Sequence, residues 1–263
     1  MTGQSSELDE IITFIHRHID EPLPLSRLAG HAAYSPYHFT RLFKEKTGLP
    51  PQYYISSLRL QKAKDLLLRT HLSVRDVSLE IGQQSLGTFT TRFTERVGMT
   101  PSEFRNSAQQ AAAHLRTLRS YTDWDIAESL PASADRIEGS IRAEEPFEGV
   151  ILIGLFARPI PEGIPLYGTV LPSLGRFSFT GVKPGTYYLM ATSVSWGMRT
   201  MEFLLPETTL RTRSKEPIVV TPHTRVPHQQ VVLYPPRLDD PPILISLPLL
   251  MNRFLHGVLQ GKR

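Results

Sequence analysis

The sequence predicts a multidomain protein, an all-α half followed by an all-β, sandwich-like half. Three observations predict it. Apolar residues recur at three- and four-residue steps to about residue 107, then give way to short runs rich in β-branched and aromatic residues. The stretch FTRLFKEKTGLPP, from Phe39, returns as FTTRFTERVGMTP from Phe89, so the helical half is internally duplicated. Gly and Pro bound the later apolar runs at short spacing, as in a sandwich or a small barrel.

The first helix is expected in LDEIITFIHRHI, where Leu8, Ile11, Ile12, Ile15 and Ile19 form one stripe and Pro22 and Pro24 follow as stops. SRLAGHA fits a short helix with Ser26 as its N-cap. SPYHFTRLFKEKTG fits another, with Ser35 as cap, Pro36 at the first helical position and Gly48 just past the end. A long helix from Pro51 to about Arg69 buries Tyr54, Leu58, Ala63 and Leu66, and the short-helix, turn, helix, Gly-Pro order then repeats. Helix continues to about Leu118, and PASA reads as a linker. GVILIGLFA, GRFSFTGV, GTYYLMATSVSW and HQQVVLY are the strand candidates, and ILISLPLLMNRFLHGVL ends the chain as a short amphipathic helix docked on its own domain or on a second copy.

Length and composition bound the function. The chain has 263 residues, 40% of them hydrophobic, enough for a core in each of two domains. It has no cysteine, which removes disulfides, thiolate zinc sites and cysteine nucleophiles. MTGQSSELDE is too polar for a secretory signal. The longest apolar candidate for a membrane span is broken by Pro248, Asn252 and Arg253. A cytoplasmic protein without a membrane partner is expected. Net charge is +4, yet residues 22–79 hold nine Lys/Arg against three Asp/Glu, a local field suited to phosphates.

The duplication has a structural meaning. An offset of 50 pairs Ser35 with Ser85, Phe39 with Phe89, Phe43 with Phe93, Gly48 with Gly98 and Tyr54 with Phe104. Upstream the offset is 49, pairing Leu28 with Val77 and Ala29 with Ser78, so one residue is added in the turn of the second copy. Each copy reads as a helix-turn-helix. Small residues (Ala29, Ser78) let the two helices cross closely, and small residues at the turn (Ala33, Gly82) relieve crowding. The aromatic pair pins the second helix to the core and leaves its other face free. Two such helices joined by a 19-residue helix about 28 Å long match successive major grooves about 34 Å apart.

Residues 7–106 resemble the DNA-binding domain of AraC-family transcription regulators. SLGTFTTRFTERVGMTPSEFR carries the resemblance most specifically, and LSRLAGHAAYSPYHFTRLFKEKTG matches the family's first helix-turn-helix. The resemblance implies a bipartite domain of seven helices that binds double-stranded promoter DNA and controls transcription, commonly as an activator. Carried over by position, the DNA-contacting residues are Pro36, Tyr37, Thr40, Arg41 and Lys44, then Leu86, Gly87, Thr88, Thr91 and Arg92. Two positions depart from the family pattern. Gln83 stands where an aromatic is usual, which predicts looser packing beside the second turn, and His31 stands where a small residue is usual. The second recognition helix has few base-reading side chains, so more direct readout is expected from the first.

On these grounds residues 1–107 are the DNA-binding domain, 108–134 a helical, Ala-rich linker, 135–237 the β domain and 238–263 a tail. F-x-F-x-G-x-x-P-G-x-Y, from Phe177 to Tyr187, resembles carboxypeptidase-regulatory-like or transthyretin-like sandwiches. A gyrase-inhibitor-like sensor is the rival reading and requires two clear helices between strands. Tyr167, Tyr187, Tyr188 and Trp196 fit strand packing better than a ligand site. RNA polymerase and a small-molecule effector are further candidate partners. The alternative function is an interaction or carbohydrate-binding protein whose β domain does the work. No GxSxG, HExxH, P-loop or GxGxxG occurs, and His223 and His228 lack a nearby carboxylate, so neither an enzyme nor a metal or other cofactor is expected.

Overall fold

The computed structural model describes residues 2–120 and 135–261. The expected PASA linker lies outside them. The first half holds the seven helices: α1 (Thr2–Arg17), α2 (Leu25–His31), α3 (Pro36–Thr47), α4 (Pro51–Arg69), α5 (Val74–Glu80), α6 (Leu86–Val97) and α7 (Pro101–Ser120). Ser35 and Ser85 cap α3 and α6 by accepting from the His38 and Thr88 amides. Both helices end on glycines in the left-handed region, Gly48 (φ 77°) and Gly98 (φ 92°). Ser26 is not the cap of α2. The cap position falls two residues earlier, at the extended Pro24, whose carbonyl accepts from the Arg27 and Leu28 amides. The α1 helix likewise stops at Arg17, ahead of the prolines expected to end it.

The matched aromatics form one core. Phe39, Phe43, Tyr54, Phe89, Phe93 and Phe104 are fully buried, and Phe43 meets Tyr54 edge-on (5.5 Å) just as Phe93 meets Phe104 (5.8 Å). Tyr54 and Ala63 of α4 are buried as expected, but Leu58 and Leu66 are only half-buried, because the helix turns Leu60 and Leu67 inward instead.

The second half is a sandwich of two open sheets. Its strands are β1 (Ile137–Ala143), β2 (Gly149–Phe156), β3 (Tyr167–Leu171), β4 (Gly175–Phe179), β5 (Gly185–Ser195), β6 (Arg211–Arg213), β7 (Ile218–Val220) and β8 (Gln229–Leu233). One sheet runs β4-β1-β8, with β1 and β8 parallel. The other runs β3-β2-β5-β6, with β7 also on β5. Alternate residues fill the space between them: Ile151 and Ile153, Phe177 and Phe179, then Tyr187, Leu189 and Ala191. Tyr167 and Tyr187 stand edge-on at 5.9 Å and brace the Lys183–Gly185 turn, where the Tyr187 hydroxyl donates to the Lys183 carbonyl (2.7 Å). Among the described residues between the strands only α8 (Thr200–Leu204) is an α-helix, and it is a single short one. The two helices a gyrase-inhibitor-like sensor requires are not there.

The outer face of the larger sheet is covered too. Val150, Leu152, Val170 and Val194 pack under α7, α8 and the start of α9 (Leu247–Gly261), with Ala111, Leu118, Phe203, Leu204, Leu247 and Met251 as the facing residues. The tail thus docks on its own chain.

Helical and β halves are joined by buried contacts around α4. Arg96, at the end of α6, pairs with Glu162 of the sandwich at 2.5 Å, both nearly buried, and donates to the Ser56 and Ser57 hydroxyls. Its guanidinium lies over the Tyr53 ring at 4.4 Å, and the Tyr53 hydroxyl donates to the same Glu162. Gly163 and Ser246 donate to the Arg96 and Val97 carbonyls, which α6 leaves open at its C-terminus. Lys64 is fully buried, donates to the Ile243 carbonyl (3.0 Å) and sits over Phe104.

Two outcomes follow from these buried charges. Glu162→Ala strands Arg96 in the interface and is expected to destabilise the protein by about 3–5 kcal/mol in denaturant titrations. Burial lowers the Lys64 pKa from 10.5 to about 7. Between those values the unfolded chain holds one proton more than the folded one, so Lys64 makes stability rise with pH, at most about 1.4 kcal/mol per unit. Below about pH 7 both states are protonated and this contribution is flat. Lys64→Met is expected to remove that slope from the wild-type profile, and equal slopes would refute the buried placement.

Candidate nucleic-acid interface

The surface that α3 and α6 turn away from the core holds the residues expected to meet DNA. On α3, Pro36, Tyr37, Arg41 and Lys44 are exposed, Tyr37 at 83%. Thr40 is half-buried and spends its hydroxyl on the Pro36 carbonyl (2.8 Å). Arg41 has only loose local partners, Glu45 at 3.9 Å and the His38 ring at 3.5 Å. An exposed pair of that geometry holds an arginine weakly, so its guanidinium can turn outward. On α6, Leu86, Gly87, Thr88, Thr91 and Arg92 are all exposed. Gly87 would meet nothing if it carried a Cβ, so the first turn of α6 is open to a close backbone approach. The Thr88 hydroxyl donates to the capping Ser85 hydroxyl (3.1 Å).

The geometry follows from the core: Phe39 and Phe43 sit four residues apart, as do Phe89 and Phe93, and each pair commits one side of its helix inward. The turns before the two helices solve one problem differently. Gly82 takes φ 75°, whereas Ala33 takes φ 53° with a side chain in place. Gln83 packs beside the second turn, half-buried, and its side-chain carbonyl accepts from Arg92 Nη1 at 3.4 Å. At the equivalent place in the first turn Tyr34 stacks edge-on with His38 (5.0 Å). The sequence flagged Gln83 only as a packing departure; its i to i+9 spacing to Arg92 carries no local signal. His31 is exposed and stacks on Phe14 at 4.5 Å, which shows how the larger side chain is accommodated.

Beside Arg92 a cleft separates α4 and α6 from the sandwich. It is lined by Arg59, Arg92, Arg96 and Arg158 against Glu95 and Glu162. Arg158, 63% exposed, donates to the Tyr53 hydroxyl (2.6 Å). Lys215 of the sandwich donates to the Lys46 carbonyl near the end of α3, so the sandwich touches the C-terminal ends of α3 and α6 and the body of α4, and leaves the outward faces of both helices uncovered.

The turn geometry sets the expected stability changes. Nothing crowds Gly82, so Gly82→Ala exposes the backbone penalty alone and is expected to destabilise by about 1 kcal/mol. Ala33→Gly escapes the same penalty while loosening the unfolded chain, and is expected to be close to neutral; thermal melts of both variants check the pair.

A family described as "Helix-turn-helix domain" matches residues 28–107. The "Uncharacterized HTH-type transcriptional regulator YobQ" of Bacillus subtilis is 40% identical over 36% of this chain and 40% of its own length. The "HTH-type transcriptional activator AarP" of Providencia stuartii is 34% identical over 40% of this chain and 77% of its own. Among solved structures, a "transcriptional regulator (AraC-type DNA-binding domain-containing proteins)" from Chromobacterium violaceum is 30% identical, with a TM-score of 0.38 over 41% of this chain and 96% of that one. The chain spans about two fifths of the length of the first curated relatives it matches.

Proposed function

Because the chain belongs to the AraC family of helix-turn-helix transcription regulators, we propose that it binds double-stranded promoter DNA by setting α3 and α6 into adjacent major grooves. One observation carries this function: both recognition faces stay open to solvent although the sandwich is seated against the C-terminal ends of the same two helices. In this proposal Pro36, Tyr37, Thr40, Arg41 and Lys44 meet one groove, and Leu86, Gly87, Thr88, Thr91 and Arg92 the other. Arg41 and Lys44 supply base or phosphate contacts. Arg92, held by Gln83, supplies the main charge of the second helix.

We assign residues 1–107 to DNA binding, 108–134 to the connection, 135–237 to a carboxypeptidase-regulatory-like accessory sandwich and 238–263 to the tail. The sandwich modulates DNA binding, and RNA polymerase contact and activation follow the pattern of a relative named as an activator. The protein has no enzymatic role in this proposal. Among the described residues no helix is long and apolar enough to cross a membrane, and we place the protein in the cytoplasm. No observation favours carbohydrate binding or scaffolding as the main function.

Selection of genomic DNA fragments on the full-length protein tests the proposal. A bipartite motif is expected, with half-sites about 10–10.5 bp apart, and the absence of any enriched motif would overturn it. On the selected site, Arg41→Ala is expected to weaken binding by about 1–3 kcal/mol, and wild-type affinity to fall steeply with salt. Unchanged affinity in Arg41→Ala would remove α3 from the interface.

A further inference from the structure

A cavity of about 250 Å³ lies between the outer face of the larger sheet and the C-terminal segment. Its floor is apolar, with Leu152, Val170 and Met190 on the strands facing Ile245 and Leu250. Gly154 and Gly168 pair across β2 and β3, and Pro165 packs over them in the cavity wall. An apolar chamber with a few polar groups is the usual form of a small-molecule site.

One polar group in this cavity is unfinished. Arg213, on β6, has a side chain only 4% exposed, and its Nε and Nη2 have no hydrogen-bond acceptor. These two N–H groups form the edge of the guanidinium that fits a carboxylate in parallel. The neighbouring carboxylates do not fill it: Asp240 and Asp239 stand at 3.8 and 3.9 Å. Both are otherwise engaged, Asp239 by Lys215 (2.9 Å) and Asp240 by the Tyr234 hydroxyl and the Arg237 amide. Arg211, the other buried arginine in the wall, is already satisfied by the Pro206, Glu207 and Thr209 carbonyls. Leaving two buried guanidinium donors unpaired is costly, and an anion removes that cost.

Arg213 also reaches the helical half. Its Nη1 donates to the carbonyl of Thr47, the last residue of α3, and Lys215 donates to the Lys46 carbonyl (2.8 Å). The C-terminal end of the first recognition helix is thus held by two cations from the sandwich, a placement its dipole favours.

We propose that this cavity is an effector site for a small amphipathic monocarboxylate, its carboxylate on the Nε–Nη2 edge of Arg213 and its apolar body against Leu152, Val170 and Met190. Binding there alters the hold on α3 and so the affinity for DNA. Only this second step rests on the DNA-binding function proposed above.

The probe is octanoate, with octanol and octylamine as isosteric controls, tested on the full-length protein by thermal shift and calorimetry. Octanoate alone is expected to bind and stabilise. Arg213→Gln is expected to weaken octanoate binding by about 10- to 100-fold. Leu250→Trp, which fills the cavity from its half-buried rim and leaves Arg213 in place, is expected to abolish binding and serves if Arg213→Gln does not fold. Equal stabilisation by octanol, no response to octanoate, or an undiminished response in either folded variant overturns the site. These readouts need no DNA, so they fail or succeed independently of the function proposed above. On a selected DNA site, octanoate is expected to change wild-type affinity about fivefold or more; an unchanged affinity alongside Arg213-dependent binding overturns the coupling.

Discussion

Arg96 is placed where three parts of the molecule must agree. It stands at the end of α6, lies against Ser56 and Ser57 of α4 and carries the ion pair to Glu162 of the sandwich. Removing any one partner of this buried guanidinium leaves charge or donors uncompensated, so the positions of α4, α6 and the Pro161–Gly163 loop cannot be varied separately. The backbone bonds from Gly163 and Ser246 to the end of α6 and the carbonyl of Ile243 on Lys64 extend the same constraint along the interface. The helical half and the sandwich are thus joined by directional polar contacts as well as by the apolar layer under α7 and by Ile160 and Leu244 in the helical core.

The two helix-turn-helix units share a backbone and differ in chemistry. Identical solutions appear where geometry allows only one: the serine caps, the left-handed glycine ends, the aromatic pair four residues apart. Divergent solutions appear where several serve. A left-handed turn residue is glycine once and alanine once, and the half-buried place after it holds Tyr34 in one copy and Gln83 in the other. The second choice trades an aromatic contact for a hydrogen bond that orients Arg92, the only basic side chain among the exposed residues proposed to meet DNA on α6. The two grooves would thus be read unequally.

Much of this was legible beforehand because its causes are local. Ser35 and Ser85 as caps, Gly48 and Gly98 as stops, α4 from Pro51 to Arg69, and the strand alternation Phe177, Phe179, Tyr187, Leu189, Ala191 all follow from backbone preferences and periodicity over a few residues. Exceptions on this scale are Ser26, displaced as cap because α2 already starts at Leu25 behind Pro24, the early end of α1 and the half-buried Leu58 and Leu66. The outward faces of α3 and α6 were legible for the same local reason, once the aromatic pairs fixed which side is buried.

The sequence alone therefore determined the helices of the first half, four of the eight strands, the duplication, the outward faces of α3 and α6 and the all-β character of the second half, since each depends on short-range periodicity and turn chemistry. Tertiary structure alone decided that α7 and the tail cover the sandwich's outer face, that Lys64 and Arg96 are buried cations, that Gln83 holds Arg92 and that Arg213 borders a cavity while touching α3. Arg213 and Thr47 are 166 residues apart, and Lys64 and Ile243 are 179 apart. A charged residue in one sequence carries no mark of the distant carbonyl or carboxylate that will receive it; only the folded chain brings the pair together and excludes the water that would otherwise serve both.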